Sequence, residues 1–333
     1  MSTAALPVGV VGVGSLGFHH ARLLKEVPGA ALAGVYDTDA ARAAGVAEQL
    51  GTRAFASLDE LLAVAEAAVI AVPTTEHAAV ALHALDRGLH LLIEKPLATT
   101  LAEADQIVRR GEEKGVVVAT GHVERFNAAL RACEAYLDEP RFIESHRLAP
   151  FGPRGTDVAV VLDLMIHDID LVLGLVGHPV ASLDAVGVPV LTPSVDIANA
   201  RLRFEGGAVA NITASRVSRE RMRKVRFFQR SGYISLDLAA GTGEFLRLRP
   251  GATPGHLEGG AHGIEDIVER IELRGDGQQP LQKELEAFVS VVQGGSQHIV
   301  SASEGRRALA VALEIVRRIE TPDVAPPAGP DRS

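Results

Sequence analysis

The stretch Val8-Gly9-Val10-Val11-Gly12-Val13-Gly14-Ser15-Leu16-Gly17 is an apolar run that closes on a Gly-x-Gly-x-x-Gly spacing. A helical pattern follows over residues 16–27 and stops at Pro28-Gly29. A buried-strand run, a glycine turn and a helix, in that order, make the first half of a parallel βαβ unit. In such a turn Gly12 permits the tight bend, Gly14 lets the backbone approach a pyrophosphate, and Gly17 lets helix and strand pack closely. The helix start, with Ser15 and Leu16, offers backbone N–H groups and a partial positive charge to phosphate oxygens. The next strand, residues 31–36, ends at Asp37, 20 residues beyond Gly17 (37 − 17). A carboxylate there accepts hydrogen bonds from an adenosine ribose and repels a 2′-phosphate, so the expected ligand is NAD rather than NADP. Two plainer readings stand beside these: an ordinary glycine turn, and Asp37 as a helix N-cap.

Working outward, the alternation continues. Strands are expected over 8–13, 31–36, 53–55, 68–72, 90–93 and 116–120, with helices between them. Ser57-Leu58-Asp59-Glu60 has the pattern of a capping box at a helix start. Six strands with intervening helices form one doubly wound Rossmann domain, expected over residues 1–122. The pattern then changes to helices over 123–137 and 158–176, and strands over 141–148, 181–217 and 225–273, with a hairpin at Glu205-Gly206-Gly207. Amphipathic helices are expected over 281–292 and 303–320. Residues 123–320 therefore read as a second, α+β domain with a largely antiparallel open sheet. The Pro- and Asp-rich end, 321–333, reads as a disordered tail.

A chain of 333 residues is long enough for two domains with cores of their own. Its net charge of −9 argues against a general nucleic-acid or membrane-surface binder, while leaving room for a local cationic pocket. Cys133 is the only cysteine, which rules out an internal disulfide and a cysteine zinc site and fits a reducing cytoplasm. No secretion signal and no uncharged apolar run of membrane-spanning length is apparent.

Two further constellations carry chemistry. Ile93-Glu94-Lys95-Pro96 closes the fifth expected strand, and ligands in open α/β sheets sit beyond strand carboxyl ends, so Lys95 is aimed at the cleft. A lysine beside a bound nicotinamide cation would have a depressed pKa and suit proton transfer; otherwise Lys95 is a solvated surface cation. In Asp163-Leu164-Met165-Ile166-His167-Asp168-Ile169-Asp170, Asp163 and His167 are four apart on one helix face. A carboxylate beside an imidazole makes an oriented acid/base group, or else a structural pair. Asp168 points elsewhere and reads as a salt-bridge partner or as a group supporting the site from behind. No His, Asp and Glu cluster with metal-ligand spacing stands out, so no metal is expected.

The glycine turn, the strand-end Glu-Lys-Pro and the Asp-x-x-x-His helix together resemble the glucose–fructose oxidoreductase/inositol dehydrogenase/MocA (Gfo/Idh/MocA) family, as do Ala71-Val72-Pro73-Thr74-Thr75-Glu76-His77, Gly121-His122 and Ser301-Ala302-Ser303-Glu304-Gly305. The likeness extends to about Glu320. It implies an NAD-dependent dehydrogenase acting on a sugar-like secondary alcohol, with Lys95 and His167 as the catalytic pair and Asp163 orienting the substrate. It also implies that Pro73, Thr74, His77, Glu94 and His122 line the nicotinamide end, and that the second-domain sheet joins copies into a homodimer or homotetramer. The chain departs from the family at Ala128, where many members have proline. Relatives that lost catalysis act as NAD-sensing regulators; the presence of Lys95, Asp163 and His167 favours an enzyme.

The cationic residues near the expected cleft bear on the substrate. Arg147 and Arg154 lie in the stretch 146–157, which enters the Asp163–His167 helix and is expected to wall the cleft, and Arg216, Arg219, Arg221, Arg223, Lys224 and Arg226 follow on later strands. Arginine suits bidentate recognition of phosphate, so a nucleotide sugar is a reasonable substrate; an interface or a solvated strand face is the alternative for the later cluster. Residues 144–157 and 211–226 are similar to the branch that oxidises UDP-N-acetylglucosamine at C3. Myo-inositol and aldoses are the rival substrates.

Overall fold

The computed structural model describes residues 4–152, 158–249 and 267–321. Arg154, part of the run of strands expected over 225–273, and the tail expected beyond Thr321 lie outside the described residues. The chain forms two compact units. Of the described residues, the first takes those up to Ala135, Ala240–Gly243 and Glu272–Leu309; the second takes Tyr136–Ala239, those from Glu244 to Ile271, and those from Ala310 onward.

The first unit opens with β1 (Leu6–Val11), α1 (Ser15–Leu24), β2 (Ala30–Tyr36), α2 (Ala40–Leu50), α3 (Leu58–Leu62), β3 (Ala67–Ile70), α4 (Thr74–Asp86), β4 (His90–Glu94), α5 (Leu101–Lys114) and β5 (Val118–Gly121). The strands are all parallel, in the order β2-β1-β3-β4-β5. A parallel sheet covered on both faces has no solvent side, which is why β3, Ala-Ala-Val-Ile, is apolar and buried at every position. The order reverses at β1, with β2 on one side and β3 on the other, so a crevice opens beyond their carboxyl ends.

Five strands stand where six were expected. Residues 53–55 make only one bridge, Ala54 to Val35, because Ser57 starts α3 almost at once. Ser57 accepts the Glu60 N–H at 3.2 Å, but the Glu60 carboxylate reaches back to the Ala56 N–H rather than to that of Ser57. The helix expected over 123–137 is also broken. A 3₁₀ turn at Val123–Phe126 gives way to α6 (Ala128–Cys133), because Asn127 is extended and caps α6 by accepting the Ala129 N–H at 3.1 Å. Cys133 is buried there, and burial pushes its thiol up to about 12.

The second unit holds β6 (Phe142–Leu148), a π-helical turn at Val161–Met165 leading into α7 (Ile166–Val176), then β7 (Val180–Val188), β8 (Ile197–Phe204), β9 (Val209–Ser215), β10 (Met222–Gln229), β11 (Gly232–Asp237), β12 (Thr242–Leu248) and β13 (Val268–Arg274). They form one open sheet in the order β13-β12-β11-β10-β6-β9-β8-β7. The sheet is mixed and mostly antiparallel, β6 and β9 being a parallel pair. The expected hairpin joins β8 to β9, with Gly207 at φ 80°. Along β8, Ala198, Ala200, Leu202 and Phe204 are buried while Asn199 and Arg203 are exposed, the alternation of a sheet with one covered face. α7 packs against β6 and β9.

The chain ends in α8 (Pro280–Val292) and α9 (Ala302–Glu320). Leu285, Phe288 and Val289 of α8 are buried in the same apolar cluster as Val8, Val10, Leu23 and Leu24. By contacts, α8 therefore groups with the first unit although it follows the second unit's strands in the chain. An amphipathic pattern locates an apolar face but not the core that receives it. No helix among the described residues is long and apolar enough to cross a membrane.

Candidate active site

β1 runs into the glycine turn. Gly12 holds φ at 82°, in the left-handed region, and an added Cβ would lie 2.8 Å from the Ala71 carbonyl oxygen. A Cβ at Gly17 would run into the Gly12 carbonyl oxygen, so α1 approaches β1 this closely only with glycine there. Gly14 differs: nothing lies within 4 Å of where its Cβ would stand. The space there is a cavity of about 530 Å³ whose lining includes Gly12, Gly14, Asp37, Arg42, Val72 and Pro73. α1 begins at Ser15 without a side-chain cap, and Ser15 and Leu16 are exposed.

Asp37 is buried against this cavity. Its Oδ2 accepts the Val13 N–H at 2.8 Å, and its Oδ1 accepts the Asp39 N–H at 2.9 Å and Arg42 Nη1 at 3.0 Å. Burial by itself would raise this carboxyl, but the backbone donors and Arg42 outweigh it and hold it below the usual carboxylate range. α2 is capped by Asp39, which accepts the Arg42 N–H at 3.0 Å, so Asp37 is not the N-cap. Arg42 Nη1 also reaches Oδ2, at 3.2 Å, so both carboxylate oxygens share this donor and a ribose hydroxyl would compete with Arg42 for them. A bare glycine edge, an uncapped helix start and a held acidic acceptor around one cavity fit a dinucleotide.

β4 ends at Glu94, and Lys95 follows half-buried, joined to Pro96 by a cis peptide bond. Glu94 is buried. Its Oε1 lies 2.6 Å from His20 Nε2, and its Oε2 accepts the Lys95 backbone N–H at 3.2 Å. Burial pushes the Glu94 carboxyl up; His20 and Lys95 together bring it below its ordinary value. Pro73 precedes α4 on the cavity wall and Thr74 is its first residue. His77 is buried with Nδ1 2.9 Å from the Pro96 carbonyl oxygen and Nε2 3.0 Å from that of Val72, so it braces the turn after β3 against the turn after β4. Burial holds its pKa below the usual histidine value, against the pull of the two carbonyls and Glu94. His122, just past β5, is buried.

In the second unit, Asp163 sits in the π turn and His167 in the first turn of α7, both half-buried. One continuous α-helix is the sequence expectation for this segment; the π turn widens it, a distortion frequent at functional sites. Asp168 and Asp170 are buried. Arg147, expected to present its charge to substrate, is buried instead, and donates to Asp168 through Nε at 2.6 Å and Nη2 at 3.2 Å. The reason is strand alternation, which turns Ile143, Ser145 and Arg147 to the covered face of β6. Arg216 is buried too, donating to the Val158 carbonyl oxygen at 2.6 Å, and Arg226 pairs with Glu144 at 3.5 Å. Arg219, Arg221 and Arg223 are exposed.

Sequence reasoning passed over His20 and Arg42. Both left a signal: His20 is a polar residue in the buried stripe Gly17, His20, Ala21, Leu24 of α1, and Arg42 lies on the first turn of the helix that follows Asp37.

Comparison with known proteins agrees with this geometry. The family described as "Oxidoreductase family, NAD-binding Rossmann fold" matches residues 6–122, and the "GFO/IDH/MocA C-terminal domain" matches residues 129–235. The UDP-N-acetylglucosamine 3-dehydrogenase of Acidithiobacillus ferrooxidans is 39% identical over 313 residues, covering 94% of this chain and 96% of that protein. A solved structure of that enzyme superposes with a TM-score of 0.87 at 38% identity, over 95% of this chain and 97% of the other. The myo-inositol 2-dehydrogenase of Thermotoga maritima is 24% identical over 94% of this chain and 96% of its own. The chain belongs to the GFO/IDH/MocA oxidoreductase family. It is an NAD-dependent oxidoreductase.

Proposed function

We propose that this protein is a sugar dehydrogenase that oxidises a secondary hydroxyl, with the C3 hydroxyl of UDP-N-acetylglucosamine as its first substrate. The observation that carries this reading is the 39% identity to a UDP-N-acetylglucosamine 3-dehydrogenase across 94% of the chain. Gly12, Gly14 and Gly17, with the N–H groups at Ser15 and Leu16, would hold the pyrophosphate, and Asp37 would accept from the ribose. Pro73, Thr74 and His122 would border the nicotinamide end. NAD, when bound, supplies the hydride acceptor. His167 takes the hydroxyl proton as general base, Lys95 donates to the same oxygen as negative charge develops there, and Asp163 orients the sugar. Lys95 and His167 are each chemically able to hold that proton, and their exchange is the second version of this mechanism. Arg154 and the exposed Arg219 and Arg221 are the cations assigned to the diphosphate. Residues of the second unit bind substrate, and the open face of its sheet, which carries Asn199, Arg201 and Thr213, joins copies into a homodimer or homotetramer. The compartment is the cytoplasm. Myo-inositol is the second substrate reading, favoured by the Thermotoga maritima relative.

NADH absorbance with UDP-N-acetylglucosamine, UDP-glucose, myo-inositol and glucose tests this, with an aminotransferase coupled in to consume a keto product. Turnover confined to the N-acetylated nucleotide sugar is expected. Turnover with inositol and with neither nucleotide sugar rejects the substrate. In Lys95→Met turnover should fall by about 10²-fold or more while NADH still binds; near-full activity in that variant rejects the mechanism.

A further inference from the structure

Glu94 ends β4 with its carboxylate folded under the sheet's edge rather than out towards solvent. A buried carboxylate is tolerated only when its oxygens find partners. One oxygen lies 2.6 Å from Nε2 of His20, a residue with no exposed surface, and the other accepts the backbone N–H of Lys95 at 3.2 Å. The third wall is Gly121, which stands opposite Glu94 in the β4–β5 register. A Cβ there would lie 3.0 Å from the Glu94 carboxyl carbon and from Oε2, so the carboxylate occupies the room that this glycine leaves.

The His20 ring is held from one side only. Nδ1 is buried without a hydrogen-bond partner among the described residues, so Nε2 is the nitrogen that binds, donating to the carboxylate. The charge of Glu94 is retained, since His20 and Lys95 keep its carboxyl below its ordinary value although burial pushes it up. A fixed negative charge therefore stands one residue from Lys95, bonded to that residue's own main chain.

We propose that His20 and Glu94 are positioning residues for Lys95: the His20–Glu94 hydrogen bond pins the carboxylate to the Lys95 N–H and sets where the lysine leaves the end of β4. The proposal rests on the reading of Lys95 as a catalytic group. Neither His20 nor Glu94 touches the sugar. Glu94, which the family resemblance places on the nicotinamide, acts through the lysine instead. The size and polarity of His20 suit this role. An apolar residue would leave a buried oxygen unpaired, whereas a glutamine can present an N–H to the same oxygen.

The test compares His20→Leu, His20→Gln, Gly121→Ala and Lys95→Met, using the panel sugar that gives the largest NADH signal. In H20L, kcat should fall about 10- to 100-fold, the scale expected for a misplaced catalytic group, with KM for the sugar and the NADH dissociation constant (by fluorescence) changed by about threefold at most. H20Q should recover most of that loss. Adding Glu94→Gln to H20L should cost little more, in kcat and in the melting temperature of the NAD-free protein, because both substitutions break one network. G121A, which crowds the carboxylate from the opposite side, should reproduce the kcat loss and serves alone if H20L does not fold. Wild-type kcat in H20L or G121A, beside an inactive K95M, overturns the positioning role. So does a loss in H20L that falls equally on NADH affinity and that H20Q fails to rescue, since that marks a general packing defect. Full activity in K95M instead overturns the catalytic reading beneath the proposal.

Discussion

Asp168 closes both carboxylate oxygens on the guanidinium of Arg147, at 2.6 and 3.2 Å, with both side chains buried between β6 and α7. Breaking such a pair from one side leaves the other charge buried without its compensation, which typically costs about 3–5 kcal/mol. Arg147→Met and Asp168→Leu should each lower stability on this scale, and the double variant should lose less than either. Thermal or urea unfolding of the three variants measures it. Additive losses would show that the two residues do not act as a pair.

Gly17 and Gly14 of the first turn should separate by mechanism. Gly17→Ala places a methyl group against the Gly12 carbonyl and should destabilise the protein by about 1–3 kcal/mol. Gly14→Ala meets no protein atom and has an ordinary φ of −62°, so its stability should stay within about 0.5 kcal/mol of wild type. Its NADH affinity should nevertheless fall, because the methyl group enters the cavity. A G14A protein that binds NADH normally would move the pyrophosphate away from this edge.

Asp37 links three donors, and its removal should be felt in cofactor choice. Asp37→Ala leaves Arg42 paired with Asp39 alone and puts a cation at the cavity wall where a buried carboxylate had opposed it. Loss of charge-assisted hydrogen bonds should weaken NADH about tenfold or more. NADPH affinity should rise relative to NADH in the same titrations. Equal weakening of both cofactors would mean that Asp37 supports the loop alone.

Buried His77 and half-buried His90 give the stability profile an acid limb. Burial depresses His77 and His90 below the ordinary value of 6.5. As pH falls through 6.5 the unfolded chain takes up these protons before the folded one does, so their contribution is full above that pH and is lost on going down towards the folded values. The melting temperature should therefore fall between pH 7.5 and 5.5, and less steeply in His77→Gln. Parallel wild-type and H77Q profiles would show that His77 plays no part.

Local order along the chain, more than composition, carries this fold. The apolar run before Gly12 and the hairpin at Gly207 are local events, set by residues within a few positions of one another, and each is found as expected; the strand end at Asp37 follows from one βαβ unit of ordinary length. The breaks at Asn127 and at residues 53–55 were hidden because a capping side chain or a two-residue shortfall scarcely alters hydrophobic period.

From sequence alone came the dinucleotide turn, the parallel-then-antiparallel order of strands, and Lys95, Asp163 and His167 as the residues to test. Tertiary structure decided which polar groups spend their bonds internally. Arg147 and Arg216 read as surface cations until the fold turned them inward, and His20 read as one more helix residue until α1 carried it to Glu94, 74 positions away. Whether a charged side chain faces water or a buried partner depends on what the rest of the chain brings to its other side. Spacing along the chain carries no record of that neighbour.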